Sequence, residues 1–393
     1  MGKKLIAVFL ISLICINMTG CWNYRELNDI SYVTALGISK SDEGYEVSAQ
    51  IVNPSELIAQ DNYGYAQIVT YKAEGKSVFE ALRNFTKKQP SKLYLAHTQI
   101  LVLSEELARE GISKVMDMFN RDHEFFNSFY IMVSRGVKPN ELLGIFPPLC
   151  KVPSSAIIKS LKSTGRFRAY TRGIQASEFN HRYLSKGINP IVTGIYAEKD
   201  LKEAKDQENL EKTEFPAEIV LDSIGILKDD KLIGWLTDKN VLGYNLVMGD
   251  NINPIILLEN QNNNITIELI RVNRSISGRV VNNKPIIDIN LKADASIGEL
   301  SNFLDLRSKE NLRNMEQQLN NEIKGIVMNS IKVVQKDYGS DIFGFGETIY
   351  RSNLQEWKHL RDNWDEVFKT AEVNVSVESS IKTTGRISNP LIK

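Results

Sequence analysis

The first residue able to take part in chemistry is Cys21, whose thiol follows a leader-like segment. Lys3 and Lys4 give a positive start, residues 5–16 are almost wholly apolar, and small residues stand directly before the cysteine. This pattern is typical of a secretory signal peptide, here residues 1–20. An apolar run of about a dozen residues is too short to cross the ~30 Å core of a bilayer as a helix.

Cys21 stands where a bacterial lipobox places the cysteine that accepts a diacylglycerol and becomes the new N-terminus, although Met18 replaces the usual Leu. The alternative is an ordinary cleaved signal with an incidental cysteine. Because stable anchoring takes about two acyl chains, a diacylglyceryl group on Cys21 would tether the whole chain. The aromatic and charged residues that follow, Trp22, Arg25 and Glu26, predict a segment that docks on the body or on a partner. A disordered tether is the alternative.

The remaining reactive side chains form no recognisable site. The histidines are His97, His123, His181 and His359. They show no His-x-x-x-His spacing and the chain has no Cys-x-x-Cys pair, so no metal site is expected. His123 lies between Asp122 and Glu124, but adjacent side chains converge only where the backbone bends, so metal or acid–base chemistry is the weaker alternative. Cys150 is predicted to be a buried, inert thiol rather than a nucleophile. With no Gly-x-Ser-x-Gly elbow and no phosphate-binding loop, we predict a chain that is not an enzyme and has no cofactor.

Composition restricts the possible partners. Lysine plus arginine number 48, as do aspartate plus glutamate, and loss of residues 1–20 removes only two lysines from this balance. A nearly neutral mature chain has no global basic footprint for nucleic acid. Of the cysteines, Cys15 leaves with the signal and Cys21 would be acylated, so Cys150 has no disulfide partner. The chain must therefore rely on a hydrophobic core.

One local run is basic, residues 159–168, with Arg172 close behind. Such a run can contact anionic lipid headgroups, because each Lys or Arg near an anionic membrane contributes about 1 kcal/mol. The alternative is a solvated loop.

The elements that must position these residues alternate between strand and helix in the N-terminal half. Residues 29–40 and 45–53 flank a turn cluster, which predicts a β-hairpin. Ser77 and Glu80 fit a capping box, in which each side chain accepts from the other residue's backbone N–H. Helical and strand-like runs then alternate up to a short helix at 154–163.

The C-terminal half is richer in alternating, half-buried strands. A hairpin is predicted around Lys228-Asp229-Asp230, and period-2 patterns at 265–270 and 285–295 predict antiparallel strands. The longest helix is predicted at 311–334, a tryptophan-bearing helix at 355–368, and a last strand at 371–381.

These patterns predict an α+β (mixed α/β) fold class with antiparallel-rich sheets. Residues 199–214 are dense in Lys, Glu and Asp and read as a charged linker or solvated helix. The predicted organisation is a signal peptide (1–20), an N-terminal mixed α/β region of one or two subdomains (21–198), this linker, and a C-terminal α+β domain (215–393).

Several segments, in order, resemble one family. Residues 21–29 (Cys-Trp-Asn-Tyr-Arg-Glu-Leu-Asn-Asp) look like the opening of the Ger(x)C family, the lipoprotein C subunit of bacterial spore nutrient-germinant receptors. The most specific segment is 341–347 (Asp-Ile-Phe-Gly-Phe-Gly-Glu). The likeness also covers 44–54, 93–97, 121–124, 231–236, and Trp357, Trp364 and Phe368.

The resemblance implies a non-catalytic subunit at the outer face of the spore inner membrane. Members act with integral-membrane A and B subunits, and the complex responds to nutrients by releasing ions and dipicolinate. Whether the C subunit touches the nutrient stays open. One alternative is a lipid-anchored solute-binding lipoprotein that captures a small ligand, which needs a cleft with convergent polar groups. A lipid-anchored hydrolase is disfavoured because no nucleophile–base constellation is present.

Two further segments predict local structure. Residues 344–346 are too short for a dinucleotide fingerprint and predict a tight turn, packed by Phe343 and Phe345, that redirects the chain after the long helix. Arg121 and Glu124 are spaced by a helical turn and predict a structural ion pair.

Overall fold

The computed structural model describes residues 2, 4, 30–53, 66–89, 91–146, 150–199, 217–259 and 264–385. The strands are β1 (Ile30–Ser41), β2 (Gly44–Val52), β3 (Ile68–Gly75), β4 (Lys92–Tyr94), β5 (Ile100–Ser104), β6 (Tyr130–Ser134), β7 (Ile191–Lys199), β8 (Ala217–Lys228), β9 (Lys231–Thr237), β10 (Ile255–Leu258), β11 (Ile265–Val281), β12 (Lys284–Leu300) and β13 (Glu372–Thr383). The helices are α1 (Val78–Asn84), α2 (Glu105–Glu110), α3 (Ser113–Arg121), α4 (Pro139–Leu142), α5 (Pro153–Phe167), α6 (Ala176–Leu184), α7 (Asp238–Met248), α8 (Lys309–Val333), α9 (Phe345–Ser352), α10 (Leu354–Leu360) and α11 (Trp364–Lys369).

The first sheet is mixed, with strand order β3-β2-β1-β5-β6-β7-β8-β9 and β4 beside β1. Neighbours from β1 to β7 are parallel, and helices cover the sheet. Residues 100–103 of β5 are fully buried, as expected for a central parallel strand covered on both faces. The two predicted hairpins are confirmed as the antiparallel pairs β1–β2 and β8–β9.

Strands β8 and β9 join this sheet although they follow the predicted linker. Residues 200–216 lie outside the described part of the chain. The first sheet therefore draws strands from both sides of that segment, and the division into domains stays a prediction.

The second sheet has the order β10-β11-β12-β13. Its long hairpin β11–β12 turns at Asn282 and Asn283, which both have positive φ, a conformation that Asn tolerates. The last strand, β13, runs parallel to β12.

Helix α8 covers the apolar face of the second sheet, and the stripe predicted from its sequence is confirmed by the burial of Met315, Leu319 and Ile323. Helix α7 is buried on nearly all sides, and at Gly243 it lies against Ser330 of α8. One hydrophobic core therefore runs from the first sheet to the second. Together the two sheets confirm the mixed α/β fold class.

The tryptophan-bearing segment differs from its prediction as one helix. Asn363 leaves the helical conformation, so that α10 and α11 are separate. In an unbroken helix, Trp357 and Trp364 would lie about 10 Å apart along the axis. The break lets their rings meet edge to face at 5.4 Å.

One of the two hydrogen bonds of the capping box predicted at α1 is present. Ser77 Oγ accepts from Glu80 N at 3.1 Å, but Glu80 accepts from Lys76 N rather than from Ser77 N. Within the described residues, no helix is both long and apolar enough to cross a membrane.

Candidate functional site

The residues predicted to carry lipid and partner contacts lie outside the described part of the chain. These are Cys21, Trp22, Arg25 and Glu26. The structure does describe the segment with the most specific family likeness, residues 341–347, and the site is built from there.

A buried carboxylate organises this segment. Asp341 is fully buried, and its Oδ1 accepts from the backbone N of Phe343 at 3.1 Å and of Gly344 at 2.9 Å. Its Oδ2 accepts from Gly346 N and from Trp364 Nε1, both at 2.9 Å. The carboxylate thus holds the predicted turn closed and binds it to α11.

Burial and hydrogen bonding act on this carboxyl in opposite directions. Burial raises the pKa of Asp341 to about 6, and the hydrogen bonds from Gly346 and Trp364 limit that rise because they stabilise the charged form. The group is therefore mostly ionised at neutral pH and close to titration in mild acid.

The turn requires its glycines. Gly344 adopts the left-handed conformation with φ 73°, and α9 starts at the next residue. A Cβ on Gly346 would lie 2.8 Å from the Cα of Gly187, which belongs to the chain after α6. Two main-chain hydrogen bonds join the same two segments, one from Glu347 N to Gly187 O and one from Asn189 N to Asp341 O.

Arg182 on α6 completes the connection. Its side chain is 3% exposed, and it donates to the carbonyl of Ile342 and to the hydroxyl of Tyr244 on α7, both at 3.1 Å. Its Nε donates to Glu178 at 3.0 Å, which pairs the buried guanidinium with a carboxylate. We call the set formed by Asp341, residues 342–347, Arg182, Gly187 and Trp364 the Asp341 junction.

The chemistry available to the junction is structural. Both oxygens of Asp341 are occupied by donors, and the surrounding rings of Phe343 and Phe345 stack at 5.2 Å. The prediction of a tight turn packed by Phe343 and Phe345 is confirmed. The sequence did not reveal the structural roles of Asp341 and Arg182, because neither residue has a local pattern that indicates its distant partners.

A second polar cluster follows the carboxyl end of β6. Arg135 lies over the rings of Tyr196, at 5.5 Å, and Trp235, at 5.0 Å, and donates to Ser223 Oγ at 3.0 Å. Tyr196 donates to Asp222 at 2.9 Å, and burial together with this carboxylate raises the pKa of Tyr196 to about 12. The cluster connects β6, β7, β8 and β9 across the surface of the first sheet.

Other candidates from the sequence have ordinary surroundings. Arg121 pairs with Asp117 and Glu124 with Lys92, so the predicted Arg121–Glu124 pair is wrong. Cys150 is half-buried rather than buried, and its thiol donates to Val152 O.

The histidines also have ordinary surroundings, and His359 is exposed on α10. His97 packs against Tyr32 and Tyr94, whereas the side chain of His123 is 93% exposed. His181 lies 3.8 Å from Glu347. Across the described ranges, no group of three or more His, Cys, Asp or Glu side chains is placed to hold a metal ion.

The chain matches two family models, one for each half. Residues 23–196 match the spore germination protein N-terminal domain, and residues 222–385 match the spore germination B3/GerAC-like C-terminal domain. Together the models cover most of the chain.

Relatives that match over nearly their full length indicate the same family as the two models. Spore germination protein KC of Bacillus subtilis is 27% identical over 100% of this chain and 98% of its own length. Spore germination protein B3 of the same organism is 22% identical over 98% of each chain. The crystal structure of the GerBC protein matches the fold with a TM-score of 0.55, at 20% identity, over 88% of this chain and 96% of that one. The chain therefore belongs to the Ger(x)C family of spore germination proteins.

Proposed function

We propose that the chain is a membrane-anchored, non-catalytic lipoprotein subunit of a spore nutrient-germinant receptor, acting with integral-membrane A and B subunits. This proposal rests on similarity to a spore germination protein over the whole length, since spore germination protein KC aligns with 100% of this chain. The subunit would sit at the outer face of the spore inner membrane, attached through Cys21. Residues 22–26, with Trp22, Arg25 and Glu26, would contact the body or a partner next to the membrane.

The geometry of the buried Asp341 junction supports a structural role rather than a catalytic one. The most family-like segment, 341–347, uses its carboxylate to hold the fold together, with both oxygens occupied by donors. We therefore place the function in assembly with partners. The linker at 199–214 would separate an N-terminal from a C-terminal domain in sequence.

Copurification tests the subunit assignment. The chain, tagged at its C-terminus and expressed from its own locus, would be purified in detergent from spore membranes. We expect the integral-membrane A and B subunits to copurify. Recovery of the chain without either of them, under conditions that keep a known receptor complex intact, would contradict the proposal.

The anchor is tested separately with Cys21→Ala. The variant should fold and be released from the membrane fraction after a wash in about 1 M salt, which screens electrostatic contacts. If the washed variant still fractionated with membranes in cells lacking the A and B subunits, lipid tethering through Cys21 would be wrong.

A further inference from the structure

A groove with a basic lining lies where α5, the loop after α7 and β11 meet. It has a volume of about 950 Å³ and is lined by Arg166, Arg271, Arg274 and residues 250–253, among others. An adjoining groove of about 470 Å³ shares Arg166 and adds Lys162 and Arg172. The run 159–168, for which a solvated loop was one interpretation, is helical up to Phe167 and brings its cations to this place.

Some of these cations are neutralised and some are not. Arg274 pairs with Asp250, and Arg172 pairs with Glu178. Arg166 donates to the neutral amide of Asn253 at 2.9 Å. Lys162, Arg166 and Arg271 are exposed and have no carboxylate partner among the described residues. We call the surface formed by these three cations the basic groove.

Apolar side chains are exposed beside the basic groove. Phe167 ends α5 next to Arg166 and is 51% exposed. Ile270, which lines the groove, is 43% exposed, and Ile255 on the neighbouring edge strand is 58% exposed. Glu268 is the acidic side chain opposite Ile255 on that face. Cations interleaved with exposed aromatic and aliphatic groups are typical of surfaces that lie in a membrane interface.

The position of the groove in the fold also favours a surface that faces the membrane. Tyr130, the first residue of β6, lines the adjoining groove. Strands β1, β5 and β6 are parallel neighbours, so β1 begins at the same edge of the sheet. Ile30 starts β1 nine residues after Cys21, a stretch that reaches about 30 Å at most. This step rests on the proposed lipid anchor, which would keep that edge close to the bilayer.

We propose that the basic groove binds the phosphate groups of anionic phospholipids in the membrane to which the chain is tethered. Lys162, Arg166 and Arg271 contact the phosphates, while Phe167, Ile270 and Ile255 enter the headgroup layer. Free phosphate offers the same charge, but it leaves the exposed apolar residues without a partner. The groove thus orients the body on the membrane.

Vesicle cosedimentation tests the proposal without the lipid anchor. The probe is the chain from Trp22 to Lys393, which keeps all residues described from 30 to 385. Vesicles contain either phosphatidylcholine alone or equal parts of phosphatidylcholine and phosphatidylglycerol. Because each cation near an anionic surface strengthens binding roughly fivefold, Lys162→Glu should weaken binding to the anionic vesicles by about fivefold or more. Lys162→Glu combined with Arg271→Glu should weaken it by more than about tenfold.

Lys138→Glu is the matched control. Lys138 is also an exposed lysine, but it follows the opposite end of β6 from Tyr130. Its reversal should leave vesicle binding unchanged. Equal loss in Lys138→Glu and Lys162→Glu, or equal binding to both kinds of vesicle, would overturn the proposal.

A competition arm distinguishes the source of the phosphate. Inorganic phosphate should displace the chain no better than chloride at the same ionic strength. Displacement specific to phosphate would assign the groove to a free anion and contradict the lipid. Failure of these assays would leave the copurification and Cys21→Ala results intact, so the two proposals fail separately.

Discussion

The Asp341 junction and the basic groove both lie where residues from the N-terminal half meet residues from the C-terminal half. They differ in the burial and the pairing of their charged side chains. Asp341 and Arg182 are buried and fully engaged with donors or acceptors. Lys162 and Arg271 are exposed and have no carboxylate partner in the described part of the molecule. Buried charge is costly unless it is fully satisfied, whereas exposed charge is cheap and free to bind. The junction therefore specifies the fold, whereas the groove is available for contact.

This difference separates two kinds of variant. Changes in the junction should act on folding, and any loss of germination would follow from loss of protein. Changes in the groove should leave the fold intact and act on membrane association.

The largest effect is expected from Gly346→Val. The new side chain would clash with the backbone of Gly187 and with the indoles of Trp357 and Trp364, none of which can move freely. We expect the free energy of unfolding to fall by about 4 kcal/mol, measured by denaturant titration. Gly325→Val is the control, because a Cβ there meets no atom within 4 Å apart from the helix's own backbone and the adjacent residues. A stable Gly346→Val protein that had lost only its nutrient response would contradict the structural interpretation.

Asp341→Asn should have the next largest effect. An amide cannot accept from donors on both of its ends, so at least one buried N–H would face the new NH₂ group. We expect a loss of about 3 kcal/mol in the free energy of unfolding. Asp337→Asn, an exposed change nearby, should be nearly neutral. Equal stability of the two variants would show that the hydrogen bonds of Asp341 contribute little.

The pH dependence of stability isolates the same carboxyl. Its folded pKa of about 6 lies above the ordinary value of 3.8, so between these values the folded chain binds a proton that the unfolded chain does not. The contribution of Asp341 should therefore increase as the pH falls from 7 to 5, by about 1 kcal/mol, and disappear in Asp341→Asn. The measurement is the difference in unfolding free energy between wild type and variant at each pH. A difference that shrank on acidification would reverse the assigned sign.

The smallest effect on stability is expected in the basic groove. Lys162→Glu should change the free energy of unfolding by less than about 0.5 kcal/mol, because the lysine is exposed and has no partner among the described side chains. Thermal or denaturant unfolding measures this directly. A loss as large as that of Asp341→Asn would make the groove a structural element and remove the contrast between the two regions.

The sequence predicted the local parts of this fold well. The hairpins at 41–44 and 228–231 combine turn residues with flanking apolar runs, and α8 has an apolar stripe that matches its buried face. In each of these elements, neighbouring residues carry the information. The tight turn at 344–346 was also predicted from neighbouring residues.

The distant partners were not predictable in this way. Strand β13 pairs in parallel with β12 across α8, α9, α10 and α11, a pairing that no local pattern encodes. Glu124 pairs with Lys92 rather than with nearby Arg121, because tertiary packing brings the lysine closer. Asp341 likewise gains its role only when Trp364 folds back onto it.

The receptor assignment is tested most directly by deleting the gene in a host that lacks other receptors of this family. Dipicolinate release would be measured from spores given separate nutrients, with calcium–dipicolinate as a receptor-independent trigger. We expect loss of the response to one class of nutrient, an intact response to calcium–dipicolinate, and recovery when the wild-type gene is returned. Unchanged release to every nutrient that triggers the parent strain would contradict the receptor assignment.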